Sequence, residues 1–128
     1  MTIIAGFKGF DGIVLCSDTQ ETIEHSKRKV SKLRIEPSDG KSEIAVAFCG
    51  AGDNGPFIVK IISVAWEDVQ TATSLDEATN EIEKSLTKTY REYGQIYQRG
   101  YVPHAELIYG VKMHGSSKLF HASGPIVN

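Results

Sequence analysis

A chain of 128 residues, 41% apolar and 23% charged, has the size and balance of one domain around one core, able to fold without disulfide or metal staples. A net charge of −2 gives no electrostatic reason to expect a nucleic-acid partner, and no run approaches the roughly 18 apolar residues of a membrane span. Two cysteines and four histidines without ligand spacing make neither a disulfide framework nor a metal site, and Gly50-Ala51-Gly52 lacks the further glycine and the acid of a dinucleotide fingerprint. The expectation is a cytoplasmic protein with no cofactor and no membrane partner, because the start also lacks the basic and apolar regions of a signal peptide.

The opening run MTIIAGFKGFDGIVLCSDTQ reads as two strands, residues 2–8 and 13–16, joined through Asp11-Gly12. Asp-Gly between β-prone runs is a hairpin signal, since glycine tolerates the positive φ of a tight turn. The second strand gives way to Ser17-Asp18, so the hairpin returns Asp18 toward the first residues. If Met1 is removed, Thr2 carries both a hydroxyl and a free α-amine, which titrates at roughly 7.7–8.0 and can accept the hydroxyl proton. Taken singly, Thr2 reads as an ordinary second residue, Asp18 as a turn or cap residue, and Lys32 as a solvated lysine on a strand face.

The basic run Lys27-Arg28-Lys29 reads as a solvated edge. Residues 30–35 form a strand, 36–40 a turn, and 44–49 a continuously apolar strand covered on both faces. Cys16 and Cys49, at strand ends, read as buried small residues. Gly50-Ala51-Gly52 then lets backbone approach something closely: its N–H groups suit a developing oxyanion or a plain strand-to-helix turn.

Asp53 or Asn54 caps a first helix with Pro56 in its first turn. Ile58, Ile61, Ile62, Ala65, Trp66 and Val69 recur at helical spacing, a stripe that must cover a sheet or another subunit. Ser74 and Glu77 form a capping box for a second helix running to about Tyr93. Tyr90, Tyr93, Tyr97 and Tyr101 suit docking of that helix end onto the body. Period-two alternation returns over 105–113, followed by a turn at 114–117 and a strand at 118–122. The pattern is α+β with antiparallel sheets.

The run TIIAGFKGFDGIVLCSDTQET, followed by KRKVSKLRI, IAVAFCGAGD and KLFHASG, resembles a proteasome beta-type subunit and, more broadly, the HslV-like N-terminal nucleophile hydrolases. The resemblance implies an αββα sandwich, present in part: residues 1–128 would be one proteasome-like domain lacking the family's C-terminal helices and strands. It implies a threonine-type peptidase hydrolysing peptide bonds by acyl transfer, active if Met1 is removed and the missing region is supplied. Thr2 would be the nucleophile, with Asp18 and Lys32 beside it, Gly50 in the oxyanion hole and Ser123 in support. Lys29 is the alternative to Lys32, and Phe48 falls beside the substrate side-chain pocket. The other reading is an inactive structural or assembly subunit. In either case the resemblance implies a homo-oligomer or association with related subunits, with a peptide substrate if active. The first-helix stripe, without later helices to cover it, is the expected contact.

Overall fold

The computed structural model describes residues 3–23, 26–29, 31–36, 42–50, 55–96, 105–124 and 126–127. Strands β1 (Ile4–Lys8) and β2 (Ile13–Ser17) pair antiparallel, their turn closed by the Gly9 N–H donating to the Gly12 carbonyl at 2.7 Å; Gly12 is not at positive φ, so this four-residue turn does not use the conformational freedom expected of Asp11-Gly12. The strands β3 (Gln20–Ile23) and β4 (Ser26–Lys29) form a second small antiparallel sheet. A five-stranded antiparallel sheet follows in the order β5 (Leu33–Glu36), β6 (Ser42–Gly50), β7 (Ala105–Met113), β8 (Ser116–Ser123) and β9 (Ile126–Val127). Helices α1 (Gly55–Thr71) and α2 (Leu75–Ile96) connect β6 to β7.

Alternation along the strands divides the large sheet into two faces. Val46, Tyr109 and Phe120 lie opposite one another on the helix side, all buried, with the Tyr109 and Phe120 rings stacked at 5.0 Å. The row Ala45, Gly110 and Leu119 occupies the opposite face, against which β1 and β2 pack. That contact needs glycine: a Cβ on Gly6 would stand 2.9 Å from both Ile108 Cγ2 and Leu119 Cδ1. Helices, large sheet and β1–β2 hairpin therefore make three stacked layers, a partial αββα sandwich.

The α1 stripe does not wait for a partner. Ile58, Ile61, Ile62, Ala65 and Val69 are buried in the core formed with α2 and the large sheet, and Trp66 packs at its margin. Among the described residues, Phe10, Ile35 and Val59 are exposed singly, whereas Ile3, Phe7 and Val14, at 62%, 63% and 63% exposure, share the outer face of β1–β2. The α1 stripe is therefore not the expected contact: one sheet and a neighbouring helix suffice to cover it, whereas among the described residues the hairpin has a layer on one side only.

Other differences are local. The basic run Lys27-Arg28-Lys29 forms part of a strand, β4, which among the described residues pairs with β3. The turn before β8 contains only His114 and Gly115, with φ of 50° and 82°. Two residues at positive φ make the tight hairpin whose twist suits the flanking strands, so β8 starts at Ser116, earlier than the pattern indicates. The second-helix cap forms as read: the Glu77 N–H donates to Ser74 Oγ at 3.1 Å. Hydrogen bonds from Thr73, its hydroxyl foremost, hold the Glu77 carboxyl below the usual carboxylate range. At the other end of α2, Tyr90 and Tyr93 meet the Phe57 ring edge-on, with centroids at 5.0 and 4.9 Å. The Tyr90 hydroxyl also accepts the Ala105 N–H at 3.1 Å. Tyr97 and Tyr101 lie outside the described residues.

Candidate active site

The end of β2 brings Asp18 back beside the start of the chain. Its N–H donates to the Ile3 carbonyl at 3.0 Å, and the Ile3 N–H donates to Asp18 Oδ1 at 3.2 Å. Lys32 Nζ reaches the same carboxylate oxygen at 3.0 Å. Lys32 precedes β5 and is fixed to the large sheet by its carbonyl, which accepts the Phe48 N–H at 3.0 Å. The lysine side chain is only 7% exposed, against 30% for Asp18. An enclosed ammonium requires a charge partner, and Asp18 supplies it. The pair links the hairpin layer to the large sheet at the Ile3 end of the molecule.

Lys32, the lysine that the resemblance favours, is in contact with Asp18; the backbone of Lys29, the alternative, stands opposite Gln20 in the small β3–β4 sheet. Thr2 lies outside the described residues, as do Ala51 and Gly52. Gly50 ends β6 opposite Ala105. Ser123 ends β8 opposite Glu106, and its hydroxyl donates to Glu106 Oε1 at 2.6 Å. His121 Nε2 lies 2.7 Å from the other oxygen, Oε2. Phe48 packs against the helix-side core, with the Arg34 guanidinium 5.8 Å from its ring centroid.

Glu106 and His121 did not stand out in sequence. They lie fifteen residues apart, and only the β7–β8 register, which sets Ile108 against His121 and Glu106 against Ser123, brings them together. Cys16, expected to be buried, is exposed on the outer face of β2, its thiol 3.7 Å from the Ala5 carbonyl. An edge hairpin with one covered face leaves every second residue in solvent. Among the described residues no three His, Cys, Asp or Glu side chains gather as metal ligands, and no helix is long and apolar enough to cross a membrane.

No protein-family model matches the sequence, and no curated protein does. Solved structures do match. Anbu, described as an ancestral beta-subunit, from Yersinia bercovieri superposes over 100% of this chain and 55% of its own, with a TM-score of 0.72 at 16% identity. Anbu from Pseudomonas aeruginosa, solved as a helical assembly, gives 100%, 56%, 0.70 and 15% by the same measures. Eukaryotic HslV from Trypanosoma brucei gives 100%, 65%, 0.54 and 19%.

The chain has the N-terminal nucleophile hydrolase fold. It spans little more than half the length of the Anbu structures it matches. Within this fold the described residues build the helix layer and both sheet layers, and the Asp18–Lys32 pair stands where the hairpin begins.

Proposed function

We propose that the chain is a self-assembling, proteasome-like subunit of the Anbu and HslV kind, with association as its principal role. The observation that carries this reading is the outer face of β1–β2, where Ile3, Phe7 and Val14 each keep more than 60% of their surface in water. Alternation places the three side chains on one side of the hairpin, and contiguous apolar patches of this kind mark interaction surfaces. The Pseudomonas aeruginosa Anbu structure, itself a helical assembly, supports the same reading. Sedimentation velocity tests it: the protein should sediment as a multi-subunit species at micromolar concentration, and Phe7→Asp should shift it toward monomer. A wild-type monomer throughout that range would overturn the proposal.

A second reading, hydrolysis, is favoured by the enclosed Asp18–Lys32 pair beside Ile3. Once Met1 is removed, the Thr2 amine takes the proton of its own hydroxyl, and Thr2 Oγ attacks a peptide carbonyl. The Gly50 N–H stabilises the oxyanion; as it collapses the C–N bond breaks, the leaving amine takes the proton from the Thr2 ammonium, and water then hydrolyses the Thr2 acyl ester. The Lys32 charge, neutralised in part by Asp18, favours the unprotonated amine. Intact mass establishes whether Thr2 is the first residue. Hydrolysis of a fluorogenic peptide amide, lost on acetylating that amine, is the expected result, and activity with Met1 retained would refute it.

A further inference from the structure

The Ser123–Glu106–His121 cluster is the one group of polar side chains, among the described residues, that the two readings above leave without a task at the site end. Its place follows from the packing of β1 on β7. A Cβ at Gly110 would meet Ile13, which pairs with Lys8, and a Cβ at Gly6 would meet Ile108. Two residues further along each strand, Ile4 comes to the level of Glu106. The carboxylate therefore belongs to the end of the sandwich where Ile3 and Asp18 meet.

A serine hydroxyl has one proton to give and two lone pairs with which to accept. At 2.6 Å, Ser123 gives that proton to Glu106 Oε1, a separation typical of a charge-assisted O–H···O⁻ bond. Oε2 is occupied at 2.7 Å by His121 Nε2, which must carry a proton when Glu106 is ionised. Held at both oxygens, the carboxylate is oriented toward Ser123. The consequence is one of polarity: with its proton committed to Glu106, Ser123 Oγ can act toward any other group only as an acceptor.

We propose that Glu106 is a positioning residue that, braced by His121, fixes Ser123 Oγ as an acceptor for an N–H donor at the amino end of the sandwich. The donor class is an amine or a peptide N–H. A group offering only a lone pair finds no proton there. This inference rests on the hydrolytic reading for its consequence in turnover, but the polarity of the hydroxyl stands independently of it.

Two measurements separate these levels. In proton NMR of the whole protein, the Ser123 hydroxyl should appear as a slowly exchanging signal, absent from Ser123→Ala and from Glu106→Met, which keeps side-chain length but replaces the carboxylate with a thioether, a weak acceptor. Glu106→Gln, retaining a carbonyl oxygen, should restore part of the protection. In peptide-amide hydrolysis, Glu106→Met should lower kcat about tenfold with KM little changed, and Ser123→Ala should add nothing further, because the two act as a unit. A hydroxyl that exchanges freely in the wild type, or stays protected in Glu106→Met, overturns the proposal. So does an active Glu106→Met variant with wild-type kcat. A protected hydroxyl in a protein without turnover upholds the polarity while the hydrolytic reading fails.

Discussion

Replacing Asp18 by alanine leaves the Lys32 ammonium enclosed with its carboxylate partner removed. Breaking one half of a buried ion pair costs about 3–5 kcal/mol when both charges are enclosed. Here Lys32 is 7% exposed and Asp18 30%, so water already screens part of the interaction, and about 2–4 kcal/mol is expected. Part of that cost is the backbone contact from the Ile3 N–H, lost with the same carboxylate. At about 2.1 cal/mol/K of unfolding entropy per residue, the 128-residue chain loses about 7–15 °C of midpoint. Lys32→Met is the informative companion, because it fills the same space without a charge and leaves Asp18 partly in water with the Ile3 N–H; about 1 kcal/mol or less should be lost. The double variant should therefore be more stable than Asp18→Ala alone. Thermal melts followed by circular dichroism decide the matter. An Asp18→Ala midpoint within about 2 °C of wild type, or a double variant no better than Asp18→Ala, would show that the pair does not hold the hairpin to the sheet.

Gly6→Ala should destabilise by about 1–3 kcal/mol, since its methyl meets Ile108, Leu119 and Leu15 at once, whereas Gly12→Ala, with open space around it, should be neutral or gain up to about 1 kcal/mol. Urea midpoints in the reverse order would refute the packing of hairpin on sheet. Tyr90→Phe removes the acceptor of the buried Ala105 N–H and should cost about 1–3 kcal/mol. The Tyr109 hydroxyl is fully enclosed with no hydrogen-bond partner among the described residues, and burial pushes its ionisation far above the ordinary range. Tyr109→Phe should accordingly be neutral or stabilising, and a loss larger than that of Tyr90→Phe would contradict this account.

Local chemistry, which acts over a few residues, is what the sequence displays. Asp11-Gly12 marks the first hairpin, Ser74 and Glu77 cap α2, and the recurrence of Ile58, Ile61, Ala65 and Val69 shows which side of α1 is buried. The succession of β1, β2, β5, β6, the two helices, β7 and β8, and the return of Asp18 to the start of the chain, are read from the sequence, whereas β3, β4 and β9 carry no such signal. What covers a face is a different kind of fact. Nothing along α1 says that the chain's own sheet closes over its stripe, nor that Phe7 and Val14 are left in water, because both depend on how many layers stack. The contact of Lys32 with Asp18 depends on where the chain leaves β4 and re-enters the sheet, which sequence spacing does not specify. Glu106, Ser123 and His121 depend on register: a slip of one residue between β7 and β8 would turn His121 away and dissolve the cluster. Periodicity assigns a residue to a face of its own strand, but only the pairing of strands decides which residue it meets there.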